Sequence, residues 1–242
     1  MDNGTIWTQE ARECIQDEVH AMLIWGPMSG TGKSTLPIKY AEEFGLPFGS
    51  ITVHEGTQAD ELRGFQVYRG DAAGMAWQDG PMLQAWRASH DPAKRCIFVI
   101  NEINRASDET LSFLLAALDE VGTAMMTLPT GERVSCGVNV TFVCTSNEGP
   151  ETFPEPLRER FQATIEADTV APEAIARLSQ RFQAPAYQNI TRGDDRARTI
   201  RQWFELDRLV TTKGRSVEVA ARRVFGKARG AEIAADLQVA SA

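Results

Sequence analysis

The glycine-rich stretch Gly26-Pro-Met-Ser-Gly-Thr-Gly-Lys-Ser-Thr35 constrains the fold more than any other part of the chain. It follows an apolar run at residues 21–25 that is typical of a buried strand, and it precedes a helical pattern at residues 32–44. Glycines let backbone N–H groups converge on an anion, and a helix N-terminus adds partial positive charge. A strand, such a turn and a helix in this order predict a loop that binds phosphate groups.

The side chains of this loop predict a nucleotide with a divalent cation. Lys33 can reach the β- and γ-phosphates, and the Ser34 hydroxyl can bind Mg²⁺. The match to GxxxxGK[ST] is incomplete, because Pro27 occupies the first glycine position and has no N–H to donate. We therefore expect ATP and Mg²⁺ as cofactors, with the nucleotide contacted by Gly26, Pro27, Met28, Ser29, Gly30, Thr31, Gly32, Lys33, Ser34 and Thr35.

Short apolar runs alternate with helical patterns, which is typical of a parallel sheet covered by helices. Strands are predicted at residues 21–25, 48–53, 96–100, 138–145 and 161–165, with an irregular hairpin or insert at 64–80. Beyond Pro172 three helical patterns follow, at 172–183, 195–209 and 216–229. The predicted fold is α/β, a P-loop NTPase parallel sheet sandwiched by helices in residues 1–170, followed by a small all-helical lid domain in residues 171–242.

Local signals add detail to this outline. Pro81 can open a helix that runs to Trp86, and Ser107 is a suitable N-cap for a second helix. That second helix carries four leucines at a helical spacing, which predicts one apolar face: Leu111, Leu114, Leu115 and Leu118. Residues 128–131 are typical of a turn between two short strands.

A polar pair ends the clearest core strand. The run at residues 96–100 leads into Asn101 and Glu102, and the carboxyl edge of such sheets is where ligands bind. An ATPase needs a carboxylate to orient or deprotonate the attacking water, and Glu102 is the candidate for this base. Asn101 takes the metal-binding position, where its amide oxygen can accept from a Mg²⁺-bound water but carries no charge.

Here the sequence resembles a known family. Asn101-Glu-Ile-Asn-Arg-Ala106 is similar to the Walker B segment, D-E-I-N-R-A, of the MoxR and dynein-related branch of AAA+ ATPases. The resemblance covers about residues 20–170 and departs from the family at Pro27, Asn101 and Glu159. Four further segments are similar in the same order: residues 60–64 with 79–81, the hairpin at 128–131, the sensor 1 strand at 142–147 and the L-x-D-R-F stretch at 157–161.

The resemblance implies roles for residues outside the phosphate loop. Asn147, at the end of the sensor 1 strand, would position the lytic water. Arg160 would be the arginine finger that reaches a neighbouring subunit's site, and Arg158 is its near rival. Arg215, at the start of a lid helix, would be the sensor 2 arginine. Tyr68 and Trp77 in the insert either line a pore or pack on the domain, and neither is assigned.

Together these features lead us to expect an ATP-hydrolysing, chaperone-like MoxR-type ring, a hexameric homo-oligomer. The resemblance implies a protein client, such as a von Willebrand A domain protein. Two alternatives stay open: a motor NTPase of a nucleic-acid-processing, McrB-like complex, and a weakly hydrolysing assembly switch. The net charge of −8 counts against nucleic acid without excluding it. The absence of long apolar runs and of a signal peptide, together with scattered cysteines, favours a cytoplasmic protein with no membrane partner.

Overall fold

The computed structural model describes residues 6–70, 74–192 and 198–239. The chain forms two compact units. One unit holds Trp7–Pro27 and Lys33–Glu166, and the other holds Met28–Gly32 and the described residues from Ala167 onward. The glycine-rich loop is therefore shared between the two units along the chain. The predicted domain boundary after residue 170 stays a prediction.

The first unit is built from strands and short helices. Its apolar strand runs and amphipathic helical runs produce the following elements in chain order: α1 (Ile6–Gln16), β1 (Ala21–Trp25), α2 (Thr35–Phe44), β2 (Phe48–Thr52), α3 (Ala59–Arg63), β3 (Gly64–Tyr68), β4 (Met75–Asp79), α4 (Pro81–Ala88), β5 (Cys96–Asn101), α5 (Asp108–Ala117), β6 (Met125–Thr127), β7 (Arg133–Ser135), β8 (Val140–Ser146), α6 (Glu155–Arg158) and β9 (Ala163–Glu166).

Five parallel strands form the central sheet in the order β2-β5-β8-β1-β9. Strands β5 and β8 are buried along almost their whole length, as the continuous apolar runs of a sheet covered on both faces require. In the register, Trp25 lies opposite Ser146 and Ile100 opposite Cys144. The carboxyl ends of β1, β5 and β8 therefore meet at one edge. This sheet with its flanking helices confirms the predicted P-loop NTPase-like fold class.

Two antiparallel hairpins form separate two-stranded sheets in this unit. Strands β3 and β4 form the predicted hairpin at 64–80, of which residues 71–73 lie outside the described part. A Cβ at Gly64 would lie 2.3 Å from the Gln78 carbonyl oxygen, so only glycine fits there. Arg87 joins the two hairpins, since its Nε donates to Asp79 at 2.6 Å and its two Nη atoms donate to Glu132 at 2.7 and 2.9 Å.

The local predictions hold for several elements. The turn at 128–131 joins β6 and β7, and Ser107 caps α5 by accepting from the Thr110 N–H. The apolar face of α5 packs on the core, with Leu114 and Leu118 fully buried. Helix α4 begins at Pro81 as expected and extends to Ala88.

Several predicted boundaries are wrong. Helix α2 begins at Thr35 and not at Gly32, because Gly32 has a φ of 109° that no α-helix contains. Strand β8 begins at Val140 rather than 138. The N-terminal helix α1 was not predicted at all, although its apolar residues Trp7, Ala11 and Ile15 recur every four positions and are buried.

The second unit is helical. It contains α7 (Pro172–Ile175), α8 (Gln180–Ile190), α9 (Ile200–Thr211), α10 (Val217–Phe225) and α11 (Lys227–Val239). The pattern at 172–183 is thus two helices separated by a short turn, and the pattern at 216–229 is broken at Gly226, whose φ is 84°. Large apolar side chains such as Phe182 and Trp203 form its core. Across the described residues of both units, we find no helix with the length and apolar character to cross a bilayer.

Candidate nucleotide-binding site

The entrance of the glycine-rich loop is hydrogen-bonded to the end of β8. The Gly26 N–H donates to the Ser146 carbonyl oxygen at 3.2 Å, which continues the pairing of β1 with β8 by one residue. Gly26 has a φ of 158°, close to extended backbone. The loop therefore starts at the edge where β1, β5 and β8 end.

The Lys33 side chain reaches Gly26, at the start of the loop. Its side chain is only 7% exposed, and its Nζ donates to the Gly26 carbonyl oxygen at 2.8 Å. A buried ammonium group is costly unless acceptors surround it, so this bond helps to hold the charge in place. The lysine therefore supplies a positive charge at the base of the loop, where a phosphate oxygen can join its acceptors.

The middle of the loop, Met28–Gly32, belongs to the second unit. A Cβ at Gly30 would lie 2.8 Å from Cγ2 of Ile200, and Gly30 has a φ of 84°, so glycine is required there. The Thr31 carbonyl oxygen accepts from the Ala171 N–H at 2.9 Å. Among the described residues, none hydrogen-bonds the buried Thr31 Oγ1. A buried hydroxyl without a protein partner, in a glycine-rich turn, fits an oxygen-rich anion such as a phosphate group.

Ser34 lies just before α2 in a right-handed helical conformation, with φ −83° and ψ −25°. Its side chain accepts no capping hydrogen bond. Within the described ranges, no cluster of three or more His, Cys, Asp or Glu side chains is suited to a metal. A cation at this edge would therefore rely on hydroxyl, amide and phosphate oxygens. That donor set matches Mg²⁺, which is usually held by few protein ligands together with substrate phosphates.

The chain turns sharply after β5. Glu102 has φ 57° and ψ 43°, a left-handed conformation that is unusual for a residue with a Cβ. Its N–H donates to Thr145 Oγ1 at 3.3 Å, and the Thr145 hydroxyl donates to Asn101 Oδ1 at 3.4 Å. One buried hydroxyl of β8 thus hydrogen-bonds both the Asn101 side chain and the Glu102 backbone.

The Glu102 carboxylate has a partner within its own turn. Oε2 of Glu102 lies 3.0 Å from Nε of Arg105, and the two side chains are 34% and 59% exposed. An ion pair this open to solvent contributes about 0–1 kcal/mol, so it is easily exchanged for another contact.

Asn147 lies in the turn that follows β8. Ser146 Oγ donates to the Glu148 carbonyl oxygen at 2.7 Å and accepts from the Glu148 N–H at 2.8 Å, which shapes this turn. Asn104 Nδ2 donates to Glu148 Oε1 at 3.2 Å and so connects the turn to the segment after Glu102. Asn147 is half-buried there. It therefore follows the same sheet edge as Asn101 and Gly26.

The three predicted arginines differ in their local surroundings. Arg160 is half-buried, and its Nε lies 3.3 Å from Asp119 Oδ1. Arg158 ends α6 and is exposed. Arg215, in the second unit, is exposed just before α10, and its N–H donates to the Leu209 carbonyl oxygen at 3.0 Å.

The two unassigned aromatic residues of the insert differ. Tyr68 is 62% exposed on β3. Trp77 packs against the core, and its Nε1 donates to Asp79 Oδ1 at 2.8 Å. Only Tyr68 is thus presented to solvent.

Sequence reasoning missed Thr145 and Arg105. Thr145 is polar and only 3% exposed inside an otherwise apolar strand. That pattern is a usable signal, because a buried hydroxyl requires a partner. Arg105 lies three residues after Glu102 in a 3₁₀ turn, a spacing that brings their side chains together only once the turn is known.

A family model and two uncharacterized relatives match this chain. The profile of the AAA domain, dynein-related subfamily, matches residues 21–161. An uncharacterized protein of Staphylococcus aureus strain USA300 is 28% identical over 207 residues, covering 83% of this chain and 73% of its own length. An uncharacterized protein of Staphylococcus haemolyticus is 30% identical over 156 residues, covering 62% of this chain and 56% of its own.

Solved structures share the fold. A mutant of RuvB from Thermotoga maritima superposes with a TM-score of 0.52 at 16% identity, covering 97% of this chain. This chain spans only 66% of that RuvB chain. A second RuvB mutant from the same organism gives a TM-score of 0.52 at 17% identity, covering 99% of this chain and 68% of its own. At such identities the likeness concerns the fold alone.

Proposed function

Because this chain belongs to the dynein-related subfamily of AAA domains, we propose that it binds and hydrolyses ATP as a ring ATPase of the MoxR type. One observation supports this most strongly. Lys33 and Gly26 meet at the end of β1, while Asn101 and Glu102 are joined through Thr145 at the ends of the neighbouring strands. A phosphate-binding lysine and a water-orienting carboxylate at one sheet edge are what ATP hydrolysis requires.

The loop would hold the triphosphate. Backbone N–H groups of residues 28–35 would face the anion, since the Gly26 N–H donates to Ser146 and Pro27 has none, and Lys33 would balance the charge of the β- and γ-phosphates. Ser34 and Asn101 would hold Mg²⁺, directly or through its water ligands. When bound, Mg²⁺ neutralises charge on the transferring phosphoryl group.

The remaining residues would act on the attacking water and on the developing charge. Glu102 accepts a proton from the water or orients it, and Asn147 donates to hold it in line. Arg160, or its neighbour Arg158, would reach the site of an adjacent subunit, where an arginine finger accelerates hydrolysis by about 10³–10⁵. Arg215 would contact the phosphates from the helical unit.

The work done by this cycle would be the remodelling of a partner protein. In a homo-oligomeric ring, hexameric as in the resembling family, hydrolysis would shift the helical unit and turn nucleotide state into movement. A chaperone-like action on a protein client, such as one with a von Willebrand A domain, agrees with the net charge of −8, which disfavours a nucleic-acid substrate.

Substitution of Glu102 tests the enzymatic proposal. We expect steady ATP hydrolysis by the unmodified protein and none above background by Glu102→Gln, whose ATP affinity is retained. Glu109→Gln removes the same charge from the exposed first turn of α5 and serves as the control. Full activity in Glu102→Gln contradicts the role of this carboxylate.

A second function, a nucleotide-gated assembly switch that hardly hydrolyses, has a specific observation in its favour. The Glu102 carboxylate is ion-paired to Arg105, and Asn101 lacks the charge that usually attracts the metal. The switch predicts ATP-dependent oligomerisation without measurable phosphate release. Sedimentation with and without ATP, together with a phosphate-release assay, distinguishes the two functions.

A further inference from the structure

We propose that Thr145 is the positioning residue of the site: its hydroxyl sets both the Asn101 amide and the Glu102 turn for hydrolysis. This inference rests on the proposed ATPase function and deepens it. Thr145 is 3% exposed and lies on β8, the strand next to β5. None of the sequence patterns assigns it a role.

The register explains why this residue is within reach. Ile100 lies opposite Cys144, so the next pair along the two parallel strands is Asn101 and Thr145. Strand β5 ends at Asn101, and the left-handed conformation of Glu102 turns the chain away from the sheet. The Glu102 N–H instead donates to the Thr145 hydroxyl at 3.3 Å. The Thr145 hydroxyl thus takes the place of a backbone acceptor just after β5 ends at Asn101.

The direction of each hydrogen bond follows from the donor inventory. A backbone N–H can only donate, so the Thr145 oxygen is the acceptor for Glu102 and its own proton must point elsewhere. Asn101 Oδ1, at 3.4 Å, receives that proton. The hydroxyl therefore selects which end of the Asn101 amide faces β8 and leaves the second lone pair of Oδ1 for Mg²⁺ or its water.

The hydrogen bond from the Glu102 N–H to Thr145 Oγ1 matters because Glu102 has a left-handed conformation. A residue with a Cβ is strained in the left-handed region and stays there only when its surroundings hold it. Thr145 holds the backbone of Glu102 and so directs the side chain that orients water. Without the hydroxyl, Glu102 can relax from this conformation, and hydrolysis slows. The hydrogen bonds of the Thr145 hydroxyl described above go to Asn101 and Glu102, so the phosphate loop keeps its affinity.

A second buried threonine on the same strand provides a matched control. Thr141 Oγ1 donates to the Val19 carbonyl oxygen at 2.9 Å and accepts from Arg95 Nε at 2.7 Å. It lies at the opposite end of β8 from the site. Thr141→Val removes a buried hydroxyl from the same strand and should change stability without changing the chemistry.

The test compares Thr145→Val, Thr145→Ser and Thr141→Val with the unmodified protein. Valine keeps the shape and removes the hydroxyl, and we expect kcat to fall about 10- to 100-fold, as for other residues that orient ligands of a metal. The affinity for ATP without Mg²⁺ should stay within about twofold, whereas the Mg²⁺ concentration for half-maximal enhancement of ATP binding should rise about tenfold. Serine restores the hydroxyl and should restore both quantities.

Two outcomes overturn the proposal: a Thr145→Val protein with unmodified kcat and Mg²⁺ dependence, or a Thr145→Ser protein as impaired as Thr145→Val. The Mg²⁺ titration separates this proposal from the ATPase itself. If Thr145→Val has normal activity and Glu102→Gln is inactive, the positioning role of Thr145 is rejected and the proposed ATPase function is kept. A protein that never hydrolyses ATP, but whose Mg²⁺-dependent binding weakens in Thr145→Val, keeps the positioning role and contradicts hydrolysis.

Discussion

Nε of Arg105 lies 3.0 Å from Oε2 of Glu102, so the carboxylate proposed to orient water is ion-paired three residues along its own turn. In this arrangement the carboxylate faces a guanidinium group of its own chain, and it must exchange this partner to act on water. We therefore propose that Arg105 slows hydrolysis, to an extent limited by the exposure of the ion pair to solvent.

Removing the ion pair between Arg105 and Glu102 should raise the rate of ATP hydrolysis modestly. We expect Arg105→Ala to increase kcat about two- to fivefold, because an exposed ion pair is worth at most about 1 kcal/mol. Steady-state phosphate release at saturating ATP is the measurement. Arg133→Ala, which removes an exposed arginine of β7, is the control and should leave kcat unchanged. A large loss of activity in Arg105→Ala would instead make this arginine part of the reaction.

Restoring a charge at position 101 should strengthen the metal site. Asn101→Asp gives a carboxylate where the structure has an amide, and carboxylates are preferred Mg²⁺ ligands. We expect the Mg²⁺ concentration for half-maximal hydrolysis to fall about tenfold in Asn101→Asp and to rise in Asn101→Ala. A Mg²⁺ titration of all three proteins checks the order. The same half-maximal Mg²⁺ concentration in all three proteins would show that residue 101 does not hold the metal.

If a neighbouring subunit completes the site, two variants that are inactive alone should complement each other when mixed. Glu102→Gln and Arg160→Ala should each be inactive alone, and an equimolar mixture should recover about a quarter of full activity, because random pairing completes one interface in four. The same mixing with Arg158→Ala decides between the two arginines. Mixtures as inactive as their components argue against a site completed by a neighbouring subunit.

The contact of Arg160 with Asp119 calls for its own control. Arg160 Nε lies 3.3 Å from Asp119 Oδ1, and both side chains are partly exposed. If Arg160 acts only through this contact, Asp119→Asn should lose activity as Arg160→Ala does. If Arg160 acts on a neighbour, Asp119→Asn should keep most of its activity in the phosphate-release assay.

The parts of the fold that sequence predicts well are those with local causes. Glycine- and proline-rich turns and the apolar strand runs predict the order of elements, and the cap at Ser107 follows from one side chain and its own helix. The phosphate loop belongs to this group, because its glycines, Lys33 and Ser34 lie within one short segment.

The parts that sequence could not predict depend on register and tertiary packing. Thr145 is 44 residues from Asn101 in sequence, and only the pairing of β5 with β8 brings them together. Arg160 meets Asp119 through packing of distant segments. The start of α2 was misjudged because Gly32 keeps a positive φ, a conformation that the helical pattern alone does not reveal.

Calorimetry of ATP binding tests the central claim most directly, that residues 26–35 hold a triphosphate with the help of one lysine. Lys33, whose Nζ is bonded to the Gly26 carbonyl oxygen, is compared with Lys39, an exposed lysine on α2. We predict that the unmodified protein and Lys39→Ala bind ATP with Mg²⁺ equally well, and that Lys33→Ala binds at least about 30-fold more weakly, roughly 2 kcal/mol. No heat of ATP binding in the unmodified protein, or equal affinity in Lys33→Ala, would contradict the account.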